Sequence, residues 1–122
     1  MRRASFMLTR PQMRARTKTV TRRLGWLWAM PGMHVLAVFK GMGIRPYEVI
    51  EQFGVIELVG VRRERLDAID EADCVAEGFP DLTPAQFVEM FCAHNRTKRC
   101  TPATPATIVT RAEFKHLEVP HG

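Results

Sequence analysis

The chain of 122 residues is 46% hydrophobic and 25% charged, a balance typical of a folded globular domain and not of a disordered chain. Its length corresponds to one domain with a single modest core. No apolar run approaches the roughly 20 residues that a membrane-spanning helix needs, which excludes that class of membrane protein.

The charge is distributed unevenly along the chain. Residues 1–47 contain ten Lys and Arg residues and no Asp or Glu, whereas residues 48–122 contain eight basic and 13 acidic residues. An unopposed positive field of this kind favours a polyanionic partner, most simply nucleic acid. The alternative is a small basic protein that binds no polyanion.

The N-terminal part of the chain predicts short elements. Residues 4–9 (ASFMLT) are expected to form a strand, and residues 10–17 a short helical turn that begins at Pro11. The Thr-Val-Thr run at residues 19–21 favours an extended backbone.

Three further strands are expected along the rest of the chain. Residues 34–40 (HVLAVFK) predict a buried strand, and the glycines and proline of residues 41–48 predict a loop after it. Residues 54–66 (GVIELVGVRRERL) have the strongest strand pattern, in which Gly60 predicts a bulge or a close backbone approach. Residues 107–117 (TIVTRAEFKHL) are expected to form a closing strand.

Two helices are expected between the last two of these strands. Asp70 is a suitable N-cap for the first helix, which ends before Gly78. The second begins in the motif LTPAQF, where Thr83 is the N-cap and Gln86 completes a capping box. Its apolar stripe ends at His94, which is expected to be a partly buried structural residue.

This order of elements predicts an α+β fold, most simply a small curled sheet or barrel with helices at its side. Neither a repeat nor a change of composition marks an internal boundary. Residues 1–122 are therefore expected to form a single domain, in which residues 118–122 are a loose tail.

The three cysteines predict free thiols. Their odd number, together with the absence of an apolar signal segment after the first arginines, indicates a reducing, cytoplasmic setting. The spacing of Cys92, His94 and Cys100 fits no usual zinc pattern, so no metal and no other cofactor is expected.

Glu77 is the first candidate for chemistry. It stands in the last turn of the helix that Asp70 caps, where the helix dipole disfavours a carboxylate. The apolar residues that follow in the segment AEGFP disfavour its charged form further, as suits a general acid or base. The alternative is a solvated surface glutamate that tolerates a small cost.

The basic segment TKTVTRR, residues 17–23, is the second candidate. Lys18 lies among other cations, which lower the pKa of a lysine and make it a better base or proton carrier; the alternative is phosphate contact or solvent exposure. On an extended chain Thr21 points away from Lys18, so the two meet in one cleft only if the chain bends. For Arg22 and Arg23, one phosphate contact and one structural pair are expected.

Trp26 and Trp28 are two positions apart, so an extended chain, whose side chains alternate between faces, places both on one face. They are candidates for stacking on nucleobases beside the basic segment, with core or rim packing as the alternative. The residues predicted to bind nucleic acid are thus these two tryptophans and four arginines: Arg14, Arg16, Arg22 and Arg23.

Five segments form a pattern that covers nearly the whole chain: RTKTVTRRLGW (16–26), PGMHVLAV (31–38), GVIELVGVRRERL (54–66), AEGFPDLTPAQFVEMF (76–91) and VTRAEF (109–114). This pattern resembles the ASCH domain family of the PUA-like superfamily. The resemblance implies a small β-barrel with flanking helices and a cleft that faces RNA or a nucleobase-like ligand. It also implies a catalytic set, because the small amidohydrolases of this family that deacylate N4-acetylcytidine use a K-T-x-T lysine and threonine and a glutamate of the second motif. In this chain those positions are Lys18, Thr21 and Glu77.

The chain departs from the family pattern at one turn. Family members usually have Gly-Asp before the barrel strand, whereas this chain has Gly32-Met33 followed by His34. The acid that often braces the turn is missing, which puts the local geometry and the catalysis in question more than the fold. His34 either adds a titratable group at the mouth of the cleft or simply starts a strand.

Two functional hypotheses follow, with RNA or a modified nucleoside as the partner. In the first, the protein is a hydrolase of an acylated cytosine nucleoside, with Thr21 as nucleophile, Lys18 as its activator or as oxyanion stabiliser, and Glu77 as proton shuttle. In the second, it is an RNA-binding module or a metal-independent ribonuclease that uses the basic N-terminal segment. A protein-binding domain is a third class that the sequence neither favours nor excludes.

Overall fold

The computed structural model describes residues 1–39, 50–95 and 101–117. Its five strands are β1 (Arg2–Ser5), β2 (Val20–Arg23), β3 (His34–Phe39), β4 (Glu51–Arg65) and β5 (Ile108–His116). Its helices are α1 (Arg10–Arg14), α2 (Glu71–Ala76) and α3 (Pro84–His94), with two 3-10 helices at Met7–Thr9 and Leu66–Ala68. Three sequence predictions lie outside the described residues: the loop at 41–48, the state of Cys100 and the tail at 118–122.

The strands form one mixed sheet in the order β1-β3-β4-β5-β2, in which β1 and β3 are parallel and the other pairs antiparallel. The α+β class is thereby confirmed. In the part of the chain that the structure describes, no backbone pairing joins the edge strands β1 and β2, so the sheet is open and closure into a barrel is not confirmed. The edges nevertheless approach each other, because the Arg23 Nη2 of β2 donates to the Ser5 carbonyl oxygen of β1 at 2.7 Å.

The first strand is shorter than the sequence predicts. The expected strand over residues 4–9 ends at Ser5, and a 3-10 helix follows at Met7–Thr9. Phe6 makes a last sheet-like bond, with its N–H donating to the Val38 carbonyl at 3.0 Å. After it the alternation of buried and exposed side chains is lost, since Met7 and Leu8 are both exposed, and the chain turns into α1.

The middle and closing strands agree with the sequence patterns. β3 covers the predicted strand at 34–40 as far as Phe39, and β5 lies within 107–117. β4 extends the predicted 54–66 strand back to Glu51. The bulge predicted at Gly60 is confirmed, because the register with β5 shifts between Leu58 and Gly60.

Local capping explains where α2 and α3 begin and end. The Asp70 carboxylate accepts from the Asp73 N–H at 2.8 Å, and Gly78 leaves the helix with a φ of +94°, a region that favours glycine. At α3, the Thr83 hydroxyl accepts from the Gln86 N–H at 3.2 Å, and the Gln86 side chain accepts from the Thr83 N–H at 2.9 Å. Both predicted N-caps and the capping box are confirmed.

The buried apolar side chains form two clusters that stabilise the sheet and the helices. One lies along the sheet and contains Phe6, Met13, Val35, Ile56, Leu58 and Phe114 among others. The other joins α2 and α3 to the end of β4 and the start of β5, with Leu66, Ile69, Cys74, Phe87, Phe91 and Val109 among its members. Of the helices described, none has the length and apolar character to cross a membrane.

Candidate active site

A cavity of about 310 Å³ opens between the two sheet edges and the helices α2 and α3. One side is polar and contains Lys18, Thr21, Arg22, Arg23 and Glu77. The other side is largely apolar, with Phe6, Met7, Leu8, Phe79, Phe87, Met90 and Phe91. The three residues predicted to be catalytic therefore lie around one cavity, although Glu77 is more than 50 positions from Lys18 and Thr21 in the chain.

Glu77 is fixed at the end of α2. Its backbone N–H closes the last helical turn on the Asp73 carbonyl at 2.8 Å. The next residue, Gly78, packs so closely against α1 that an added Cβ would lie 2.7 Å from Gln12 Cγ. The side chain of Glu77 is only 2% exposed, and its two oxygens contact Lys18 Nζ at 2.6 Å and Arg22 Nη1 at 3.2 Å. The carboxylate thus lies between two buried cations.

Lys18 is the main partner of Glu77. Its ammonium donates to both Glu77 Oε1 and the Glu77 carbonyl, at 2.6 and 2.9 Å. Burial lowers the pKa of Lys18 below its ordinary value; Glu77 opposes this effect, and the positive charges of Arg23 and Arg22 add to it. The lowered pKa agrees with the sequence prediction, but burial contributes more to it than the neighbouring cations.

The segment that carries Lys18 and Thr21 is held against α2 by its backbone. The Thr19 N–H donates to the Ala76 carbonyl at 2.7 Å, next to Glu77, and this bond ties the residue before β2 to the end of α2. Thr21 follows inside β2 and is 3% exposed. Its Oγ1 accepts from Arg23 Nε at 3.0 Å, so the hydroxyl keeps its own proton for another acceptor.

Arg22 links the cavity to a second carboxylate, Asp73. Its guanidinium donates to Asp73 through Nη2 and to Glu77 through Nη1. Asp73 also accepts from Arg111 at 2.8 and 2.9 Å, and these bonds, followed by those from Arg22, lower the pKa of Asp73 well below its usual range. The sequence reasoning missed this carboxylate. The signal was available, since Asp73 and Glu77 are four residues apart and thus share a helix face.

No family model and no curated protein matches the sequence, but two solved structures resemble the fold. The ASCH domain from Lactobacillus crispatus JV V101 aligns with 87% of this chain and 68% of its own, at a TM-score of 0.59 and 15% identity. The fold is that of an ASCH domain. A protein of family DUF984 from Enterococcus faecalis V583 aligns with 84% of this chain at a TM-score of 0.56 and 14% identity. This chain spans 63% of the length of that protein.

Within this ASCH fold, the arginines predicted to bind phosphate lie in different settings. Arg22 is buried in the ion pairs described above, and Arg23 lies over the Phe6 and Trp26 rings at 4.6 and 5.0 Å. Arg14 is exposed but contacts Glu51 through two hydrogen bonds, at 2.7 and 2.8 Å. Arg16 is exposed. The structure therefore does not bring the four together on one outer surface.

The tryptophans lie close together, but not on a strand. Their ring centroids are 4.7 Å apart, and both rings pack at the edge of the sheet cluster while remaining partly exposed. The rings do not meet through an extended chain, since Trp26 has a φ of +53° and the segment is a turn. Arg2 lies 4.4 Å from the Trp28 ring, and Arg63 donates to the Trp26 carbonyl at 3.2 Å.

Two histidines differ in their relation to the cavity. His94, expected to be partly buried, is exposed at the end of α3 and lines the rim of the cavity. His34 does not line the cavity; it starts β3, is exposed and contacts Glu57 at 3.2 Å. Met33, which replaces the usual acid, packs against the sheet cluster instead. Over the described ranges, no group of three or more metal-ligating side chains comes together.

Proposed function

We propose that this ASCH-fold protein is a hydrolase that binds an acylated cytosine nucleoside in the cavity and cleaves its amide bond. The observation that carries the proposal is that Lys18, Thr21 and Glu77 are all buried at one cavity wall, with Lys18 and Glu77 in direct contact at 2.6 Å. Buried titratable side chains that converge on a cavity are characteristic of catalytic sites.

The pair of Lys18 and Glu77 supplies the acid and the base in this proposal. Because the two side chains are hydrogen-bonded to each other, a proton can pass from Lys18 to Glu77 when the substrate is bound, which leaves a neutral amine and a neutral carboxylic acid. The Lys18 amine then takes the proton of Thr21 Oγ1 as this oxygen attacks the acyl carbon. Glu77 gives its proton to the departing N4 amine. Water hydrolyses the resulting acyl-threonine, which returns Thr21 and releases the carboxylic acid.

The apolar half of the cavity supports a flat, uncharged ring as part of the ligand. Phe79 and Phe87 contact each other edge to face at 6.0 Å, and Phe87 and Phe91 follow at 6.4 Å. A cavity of about 310 Å³ is at the low end of the range of roughly 300–1,000 Å³ for small-molecule sites. It therefore suits a nucleoside better than a stretch of folded RNA.

A second candidate function is RNA binding. The observation that favours it is the partly exposed Trp26–Trp28 pair, which lies beside the cations Arg2 and Arg63 outside the cavity. Aromatic rings next to arginines bind single-stranded nucleic acid by stacking and phosphate contact. Such binding would weaken steeply as salt concentration rises, and a flat salt dependence in a titration with single-stranded RNA would refute it.

The test of the hydrolase proposal is chromatographic turnover of N4-acetylcytidine. We expect the wild-type protein to release cytidine and acetate, and the variants Glu77→Gln and Thr21→Val to lose turnover by about 100-fold or more. Thr19→Val is the matched control, because it makes the same substitution two residues away, where only the backbone contacts α2. Absence of turnover by a folded wild-type protein, or equal turnover by Thr21→Val and Thr19→Val, would refute the assignment.

A further inference from the structure

We propose that the ligand of this cavity carries an anionic group, a carboxylate or a phosphate, which Arg23 binds. This inference rests on the proposed function in that it takes the cavity as the substrate site. It adds a property that the catalytic residues do not specify, namely the charge of the substrate.

The cavity has more positive than negative charge. Among its described lining residues one is acidic, Glu77, and three are basic: Lys18, Arg22 and Arg23. Asp73 adds a carboxylate behind the wall, but Arg111 contacts it through two hydrogen bonds and balances it. The wall and its hydrogen-bonded neighbours thus contain two carboxylates, Glu77 and Asp73, and four cations: Lys18, Arg22, Arg23 and Arg111. An excess of charge in a buried setting is costly unless a counter-charge is bound.

Two more distant carboxylates reduce this excess but do not remove it. Glu113 lies 3.9 Å from Arg111 and is half exposed. Glu64 lies 3.8 Å from Arg22 and 3.9 Å from Arg111, beyond hydrogen-bond distance of both. Its close contact is with the exposed Arg62, at 2.8 Å. Arg62 thus brings a further positive charge that offsets Glu64.

Arg22 also keeps a hydrogen-bond donor without a partner. The Nη atoms of Arg22 donate to Glu77 and Asp73, whereas its buried Nε has no acceptor among residues 1–39, 50–95 and 101–117. A buried guanidinium N–H without an acceptor costs free energy, so native structures rarely leave one. Because the Arg22 side chain is fully buried, this N–H is out of reach of a ligand in the cavity, and Arg22 adds positive charge behind the wall without contacting the ligand.

Arg23 provides the positive charge that a ligand can contact, because it lines the cavity and is only partly buried. Its guanidinium is held by Thr21 Oγ1 at 3.0 Å and by the Ser5 carbonyl at 2.7 Å, so it has a fixed position. Burial lowers the pKa of Arg23 to about 10, which leaves it charged at neutral pH but poorly solvated. An anion gains more from such a cation than from one in water.

Two substrates share this chemistry and differ in where the anion is attached. In one, the nucleoside carries a 5′-phosphate; in the other, the acyl chain on N4 ends in a carboxylate. Calorimetric titration distinguishes them with two pairs of ligands. Cytidine is compared with cytidine 5′-monophosphate, and N4-acetylcytidine with N4-succinylcytidine, the second pair on the Thr21→Val variant so that hydrolysis does not interfere.

We expect the charged member of one pair to bind about tenfold tighter or more than its neutral partner, as a hydrogen-bonded charge contact predicts. Arg23→Gln should remove this preference, so that the charged and neutral members of the pair bind with similar affinity. The matched control, Arg65→Gln, replaces an exposed arginine that pairs with Asp67 and should keep the preference. No preference in either pair on a protein that retains Arg23, or an unchanged preference in Arg23→Gln, would overturn the proposal.

The same titrations separate this proposal from the proposed hydrolysis. Tight binding of a charged ligand that is never turned over would support the anion site and refute the hydrolase. Turnover of N4-acetylcytidine without any preference for a charged ligand would support the hydrolase and refute the anion site. The comparison of charged and neutral ligands on a protein with both arginines intact does not depend on whether Arg23→Gln folds.

Discussion

Replacing Glu77 by glutamine tests the central contact of the site. The substitution keeps the size and shape of the side chain but removes the negative charge between Lys18 Nζ and Arg22 Nη1. It also replaces one of the two acceptor oxygens by an amide NH₂ group, which is a donor, so one of the two cations loses its acceptor. Both cations remain buried, so their charges can be compensated only in part by other groups.

The size of the effect follows from the geometry. Two unit charges about 4 Å apart interact with about 4 kcal/mol at an effective dielectric constant of 20. Removing one partner of a buried pair costs about 3 to 5 kcal/mol, because the other charge stays buried without compensation. Domains of this kind are stable by only about 5 to 15 kcal/mol. We therefore expect Glu77→Gln to lose a large part of its free energy of unfolding.

Urea denaturation at pH 7 measures this loss. The matched control is Glu89→Gln, the same substitution at an exposed position of α3, which should stay within about 0.5 kcal/mol of wild type. The double variant Lys18→Met/Glu77→Gln should recover part of the lost stability, since it removes the uncompensated charge. A free energy of unfolding for Glu77→Gln equal to that of Glu89→Gln would refute the reasoning.

The free energy of unfolding of Glu77→Gln should also depend on pH in a way that differs from wild type. In wild type Glu77 raises the pKa of Lys18 against the effect of burial, so its removal lowers that pKa further. The unfolded chain then binds more protons than the folded one at pH values below the ordinary lysine pKa of 10.5. The free energy of unfolding of Glu77→Gln should therefore rise with pH between the lowered pKa of Lys18 and 10.5, a wider pH range than in wild type.

Two further substitutions probe how the site is held. Gly78→Ala should destabilise the protein by about 1 to 3 kcal/mol and reduce turnover, because the φ of +94° is strained for alanine and the new Cβ would lie 2.7 Å from Gln12 Cγ. Thermal unfolding and a turnover assay measure the two effects, and wild-type values of both would contradict the prediction. Asp73→Asn should cost about 3 to 5 kcal/mol at pH 7, because it leaves Arg22 and Arg111 without their shared carboxylate. Because the pKa of Asp73 is lowered in the folded state, its ionised carboxylate stabilises the fold above the ordinary pKa of 3.8, and this stabilisation is lost as pH falls. The difference in free energy of unfolding between wild type and Asp73→Asn should therefore become smaller in acid, and a difference that is independent of pH would disprove this.

The local elements of the site could be predicted from the sequence because each depends on residues only a few positions apart. The N-caps Asp70 and Thr83 bond to backbone groups three residues on, and Gly78 ends α2 through its own backbone conformation. Gly60 marked the bulge in β4 for the same reason. These features need no distant partner, so a short stretch of sequence contains all the information that they require.

The arrangement around the cavity is decided by tertiary contacts. Lys18 and Glu77 are 59 positions apart and Arg22 and Asp73 are 51, so no periodicity along the chain reveals that they meet. The alternation of side chains along a strand predicted that Arg22 and Arg23 point to opposite faces. Both nevertheless line the cavity, because β2 is an edge strand with α2 on one side and β1 nearby.

The sequence by itself determined the α+β class, the starts of α2 and α3, the end of α2, the long bulged strand and, through its resemblance to ASCH domains, three candidate catalytic residues. Only the tertiary structure decided that these residues share one cavity, that Arg22 is buried in an ion-pair network instead of exposed to a nucleic acid, and that the described sheet is open. The physical reason is that burial and charge pairing depend on which distant segments pack together, whereas capping and alternation depend on neighbours in the chain.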